Sequence, residues 1–204
     1  GSSTMRYKQI DRPSVLRSIV FIGVAAMVSV IFLQQQEIDR LRRLSDAQAE
    51  IVTQQQSWAI TAVSHLELIK KYNIPYRYLE ILARVSKEHD LDLEFMVGLM
   101  QVESSFRQNA VSNMDAYGLM QVRMITAREL DPTIETFWQL YNPERNIRLG
   151  SEYFRRLLDR YHGDYRMAAL AYNRGPTRLD GEILDNIDIS DHYYRRILAA
   201  GSMD

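Results

Sequence analysis

The chain has 204 residues, 46% of them hydrophobic and 25% charged, which excludes wholesale disorder and allows one compact domain plus an appendage. Its 25 basic and 26 acidic residues leave a formal net charge of −1, so no global charge marks a nucleic-acid binder, and no nucleic-acid partner is expected. The absence of cysteine removes a disulfide scaffold, a thiolate nucleophile and a cysteine-ligated zinc. His65, His89, His162 and His192 lack metal-ligand spacing, so neither a metal nor a cofactor is expected.

Gly1 to Thr4 resemble a purification-tag remnant and are set aside. The first element is an apolar run over residues 15–33 whose one charge, Arg17, lies near enough to its end to snorkel. At about 1.5 Å per residue this run gives roughly 28 Å of helix, close to the hydrocarbon thickness of a bilayer. A buried core helix rarely runs so long without a polar face. A cleaved signal peptide would end in small residues, whereas this run ends in Phe32, Leu33 and glutamines. Residues 15–33 therefore read as an uncleaved transmembrane signal anchor. Arg6, Lys8 and Arg12 outnumber Asp11 ahead of it, which places residues 5–14 in the cytoplasm and the remainder on the far side of the membrane, single-pass.

Residues 34–73 read as a helical stalk. Leu44, Ile51, Trp58, His65 and Tyr72 recur at heptad spacing, with Leu41, Gln48, Gln55, Ala62 and Ile69 as the companion series. The glutamines, His65 and the small Ala62 weaken that seam. A solvated stalk packed on the domain, a weak self-association helix and a coiled coil all remain open.

From residue 74 onward the pattern becomes compact and helical. Pro75 suits a first helical turn, and Tyr78, Leu79, Leu82, Ala83 and Val85 make an apolar face running toward His89. Asp92 is the predicted N-cap of a helix through Leu93, Met96, Leu99, Met100 and Val102, and a polar loop follows over 109–115. Further helices are predicted over 120–130, 146–161, 165–173 and 192–200. Alternating β-branched runs are nearly absent, so the expected fold class is all-α.

Glu103 closes the apolar stretch from Phe95 to Val102. Apolar neighbours withhold solvation from the charged carboxylate, which raises its pKa and suits it to donate a proton near neutrality. Taken alone, a solvated glutamate at a helix exit explains it as well. The surrounding blocks change that balance: Glu103-Ser104-Ser105-Phe106 with Ser112, then Gly118-Leu119-Met120-Gln121 with Thr126-Ala127, then Asn142-Pro143 with Asn146-Ile147, Gly150 and Tyr153, then Ala171-Tyr172-Asn173 with Gly175-Pro176. This ordered set resembles the SLT-type lytic transglycosylases, the family 1, goose-lysozyme-like enzymes that cleave bacterial peptidoglycan. The resemblance covers roughly residues 76–200 and implies a lysozyme-like helical domain, residues 74–204, behind the anchor and stalk.

The resemblance implies Glu103 as the single catalytic acid/base, with Ser112 near the sugar N-acetyl group and Gln121 lining the glycan subsite. It sets Tyr172 and Asn173 opposite the glutamate, the tyrosine hydroxyl helping to position the acid. Asn146 and Gly150 look structural. The resemblance implies peptidoglycan glycan strands as partner; residues 15–33 supply the inner membrane, and a tether suits either wall remodelling or wall opening for an envelope-spanning secretion, pilus or flagellar assembly. The implied reaction cuts the MurNAc–GlcNAc β-1,4 bond and closes a 1,6-anhydroMurNAc end, for local wall remodelling or opening. Two alternatives stand beside it: a wall-binding scaffold with little activity, and a hydrolytic muramidase with a second carboxylate.

The chain departs from the family pattern in places. Asp115 stands where glycine is usual, Arg123 and Met124 interrupt the stretch after Gln121, and Arg174 replaces a small residue. Ile189-Ser190 occupy the place of an expected Glu-Thr ahead of the final tyrosine, Tyr193. Arg123 and Arg174 fit either contacts to peptide-stem carboxylates or solvated surface charge. Tyrosines crowd the segment from Tyr141 to Tyr194; for Tyr153, Tyr161 and Tyr165 core or rim packing is the expectation.

Overall fold

The structure is a computed structural model that describes residues 12–202. Residues 1–4 and, of the expected cytoplasmic segment 5–14, residues 5–11 lie outside the described residues. The chain divides into two compact units, one ending at Ile60 and the other starting at Thr61.

Within the first unit the described chain is helical throughout, as part of α1 (Arg12–Tyr72). Its side chains from Val15 to Leu33 lie open, Phe21 at 75% exposure among them, and this helix is long and apolar enough to cross a membrane. Leu41, Leu44, Ile51 and Trp58 of the heptad series are also exposed.

The second unit is helical, with one minimal hairpin among its described residues. After the last turns of α1 come α2 (Tyr76–Glu88), α3 (Leu93–Ser104), β1 (Ala116–Tyr117), β2 (Val122–Arg123), α4 (Met124–Leu130), a short 3₁₀ helix (Phe137–Tyr141), α5 (Pro143–Arg160), α6 (Tyr165–Arg174), α7 (Pro176–Leu184) and α8 (His192–Ala199). Asp92 caps α3 as predicted, accepting from the Phe95 N–H at 2.7 Å. Asn142 caps α5 by accepting from the Arg145 N–H, with Pro143 in the first turn; this starts α5 three residues before the predicted 146.

Every side chain from Phe95 to Met100 is buried, so α3 is the axis on which the other helices pack. Gly98 fixes the closest of these packings. A Cβ there would sit 2.7 Å from the Ile197 carbonyl oxygen, so only a bare backbone lets α8 approach this near. Tyr193 lies one turn ahead of Ile197 and Glu103 at the C-terminal end of α3, so this close approach brings the two residues together.

Three sequence expectations change. The predicted helix 120–130 begins only at Met124, because Val122–Arg123 pairs antiparallel with Ala116–Tyr117 and Gln121 takes a left-handed backbone, φ +50°. The hairpin and α7 are additions, since the sequence pattern predicts no strand and no helix between 173 and 192. Arg174, at the end of α6, is not a free surface charge: it donates to Glu182 at 2.6 Å and to the Ser190 carbonyl at 3.1 Å, tying α6, α7 and the following loop. Arg123 stays exposed.

Candidate active site

Glu103 is on the last turn of α3. The helix stops just beyond it because Ser105 and Phe106 both take left-handed backbone, φ +51° and +60°. Such conformations are uncommon away from glycine and gather where a site over-determines the chain. Burial against the core raises the Glu103 carboxyl from 4.5 to about 7, and the Tyr193 hydroxyl and the Arg196 guanidinium hold it below what burial alone would give. Tyr193 donates its hydroxyl hydrogen bond to Glu103 Oε1. Among the described residues no second carboxyl contributes to the Glu103 shift.

The Gly118–Gln121 turn joins β1 to β2 and is clamped from below. Fully buried Asn146 accepts from the Met120 N–H at 2.7 Å and donates through Nδ2 to the Tyr117 and Leu140 carbonyls, both at 2.8 Å. The Met120 carbonyl in turn accepts from the Tyr172 hydroxyl at 2.7 Å. Gly118, at φ +79°, and Gly150 leave the room this requires. A Cβ on Gly118 would sit 2.4 Å from Asn146 Nδ2, and one on Gly150 would sit 2.5 Å from the Met120 Cβ.

The residues singled out from sequence thus fall into distinct positions. The Ser112 hydroxyl oxygen accepts from the Met114 and Ala116 N–H groups, both at 3.1 Å, which shapes the loop before β1 and leaves its proton to donate. Gln121 uses its amide nitrogen on the Ala110 and Gly118 carbonyls, at 3.2 and 2.9 Å, leaving its side-chain oxygen as acceptor. Asp115 takes φ +54°, which accounts for the glycine usual there, since aspartate is among the residues that tolerate this conformation. Asn173 is exposed at the end of α6. Tyr172 lies near enough for the Glu103 charge to add to the burial that pushes its phenol up, but its hydroxyl is committed to Met120.

The hydroxyl that touches the acid therefore belongs to Tyr193, to which sequence reasoning gave no role. Its one signal was its place as the final tyrosine of the family pattern, blurred by the missing Glu-Thr before it. Arg196, one turn further along α8, gave no signal at all.

A sequence model of the Transglycosylase SLT domain matches residues 80–188. The chain is 32% identical over 122 residues to a transglycosylase of Enterobacteria phage PRD1, covering 55% of this chain and 44% of that protein. It is 36% identical over 94 residues to membrane-bound lytic murein transglycosylase C of Edwardsiella ictaluri, covering 43% of this chain and 26% of that one. The 70 kDa soluble lytic transglycosylase SLT70 of Escherichia coli superposes with a TM-score of 0.56 at 23% identity, over 66% of this chain and 25% of that chain, which establishes a shared lysozyme-like fold. The chain spans less than half the length of these curated relatives. Matched over more than half its length by the family model, with its all-α domain and the blocks around Glu103 in order, the chain belongs to the SLT-type lytic transglycosylase family.

Proposed function

We propose that the protein is a membrane-anchored peptidoglycan lytic transglycosylase with Glu103 as its single acid/base. The observation that carries the reading is one desolvated carboxyl, raised to about 7 and held by Tyr193. Glycosidases that use water or a covalent intermediate canonically pair such an acid with a second carboxylate. A lone one suits a substrate that supplies the remaining groups.

In the proposed reaction Glu103 protonates the oxygen joining MurNAc C1 to GlcNAc C4. The C1–O bond breaks, GlcNAc leaves with a free 4-hydroxyl, and the 2-acetamido group stabilises the positive charge at C1. The Glu103 carboxylate then takes the proton of the muramoyl C6 hydroxyl as O6 bonds to C1. The ring closes as 1,6-anhydroMurNAc, the acid is regenerated and no water is consumed. The free Ser112 proton and Gln121 side-chain oxygen are offered to the sugar, with Asn173 at the rim; Tyr172 acts through Met120 as a positioning residue. The unburied apolar stretch of α1 and the membrane-bound naming of relatives support the anchor, and the excess of basic residues ahead of it supports a domain on the periplasmic side.

Mass spectrometry of muropeptides released from purified sacculi by the full chain in detergent tests this. Anhydromuramoyl ends are expected. Reducing ends would replace the reading with a hydrolase, and binding without release would replace it with a scaffold.

The pH profile carries its own prediction. The acid must start protonated, so kcat/KM should fall as pH rises through about 7. Tyr193→Phe removes a hydrogen bond that favours the carboxylate, so it should move this alkaline limb to higher pH. It should also lower kcat about tenfold by freeing the carboxyl to rotate. An unmoved limb would remove Tyr193 from the mechanism.

A further inference from the structure

Beyond the groups around Glu103, the rings of Tyr117, Phe137, Trp138 and Tyr141 form one connected aromatic surface. Tyr117 stacks on Phe137 with centroids 5.0 Å apart and planes 19° from parallel. Phe137 meets Trp138 at 4.6 Å, and Trp138 meets Tyr141 edge-on at 5.6 Å. The inner rings are partly buried, whereas Trp138 is 66% exposed.

We propose that this surface is a sugar-stacking subsite that extends the glycan cleft beyond the bond that is cut, with the Trp138 indole as its binding face. The proposal rests on the reading of the site as a peptidoglycan cleft. Its first support is rigidity. The Gln139 side-chain oxygen accepts from the Glu135 and Thr136 N–H groups at 2.8 and 2.9 Å, and Asn146 and Gln108 hold the Leu140 and Tyr141 carbonyls at 2.8 and 2.9 Å. An exposed indole on a backbone fixed this way has already lost its freedom on folding, so a ligand that covers it has little ordering left to do.

The second support is continuity with the site. Tyr117 belongs to β1, which lies between the Ser112 loop and the Gly118–Gln121 turn, and its carbonyl accepts from the same Asn146 amide that steadies Met120. Gln108, which holds Tyr141, is on the loop that follows Glu103. The rings are thus tied to the same backbone that carries the Ser112 and Gln121 side chains, which is what a subsite continuous with the cleft requires.

The third is charge. Arg128 reaches this segment with its guanidinium committed to the Ile134 and Glu135 carbonyls, and the Glu135 side chain is exposed. An exposed carboxylate two residues before Phe137 disfavours an anionic lipid surface, whereas the uncharged apolar face of an N-acetylglucosamine ring needs only an aromatic plane.

The chain has two tryptophans, Trp58 and Trp138, so Trp58→Phe isolates the indole in question. The test uses the full chain in detergent carrying Glu103→Gln, so that bound sugar is not consumed. It is titrated with peptide-free glycan strands of about eight sugars. A saturable change in Trp138 emission is expected. By calorimetry Trp138→Ala should weaken binding about tenfold and Trp138→Phe should recover most of it, with unchanged circular dichroism in both. Binding that is equally tight in Trp138→Ala, or an emission change with anionic vesicles but not with glycan, would overturn the subsite and leave the transglycosylase reading standing. Absence of strand binding in every variant would overturn both.

Discussion

Glu103→Gln should reduce anhydromuropeptide release about 10³-fold, the scale of a positioned acid/base, and at the same time make the fold more stable at alkaline pH. The carboxyl is raised from 4.5 to about 7 by burial. Between those pH values the folded chain still holds a proton that the unfolded chain has released. Stability is therefore fully present below pH 4.5 and falls as pH rises toward 7. A shift of that size corresponds to about 3 kcal/mol. Glutamine cannot ionise, and its side-chain oxygen can still accept from Tyr193, so the variant keeps the packing and is spared this loss. Urea unfolding in detergent should show the variant about 3 kcal/mol more stable than the unsubstituted chain at pH 8, and the two nearly equal at pH 4. A gap independent of pH would mean that Glu103 is not the group being desolvated. A variant that kept its turnover would remove Glu103 from the chemistry altogether. If both effects appear, the burial that makes the acid useful is the same burial that weakens the fold.

What was legible in the sequence is what local chemistry determines. Asp92 ahead of an apolar run announces α3, and the run itself announces a desolvated Glu103 at its end; both statements need only neighbours in the chain. The block from Gly118 to Gln121 was legible as a family pattern, but its conformation was not. A helix reading of 120–130 follows its composition, whereas the backbone turns at Gln121 because Asn146, remote in sequence, supplies the bonds that a helix would have made internally. Tyr193 was opaque for a related reason. Its bond to Glu103 spans 90 positions and depends on α8 settling against Gly98, a packing with no local periodicity to mark it. Tyr172 was read as the partner of the acid because the family motif placed it opposite. In the fold its hydroxyl lies against Met120, where the missing Cβ of Gly150 gives it space. The aromatic 3₁₀ helix escaped notice because five residues with no helical period resemble a loop until Gln139 is seen to close it.

The other large effect is expected at Asn146. Removing its amide in Asn146→Ala strands the Met120 N–H and leaves the Tyr117 and Leu140 carbonyls without their shared donor, at a fully buried site. A buried polar group without a partner costs about 1–3 kcal/mol, so the sum over these three should reach about 4 kcal/mol, read as a fall in the urea midpoint. Asn146→Asp would restore the acceptor but not the donor, and would set a carboxyl against two carbonyl oxygens, so it should rescue nothing. The functional consequence follows from the stacking of contacts. Met120 is held at its N–H by Asn146 and at its carbonyl by Tyr172, and Gln121 is the next residue. Loosening the first hold should raise KM for glycan more than it lowers kcat, since the turn carries a binding group and Glu103 is on another element. Gly118 gives an internal check. Its added Cβ would meet Asn146 Nδ2 at 2.4 Å and the Leu140 carbonyl oxygen at 2.5 Å. Gly118→Ala should therefore cost less when Asn146 is already alanine than when it is present, because one of the two clashes is gone. Strict additivity of the pair would show that the turn is held by something other than this amide.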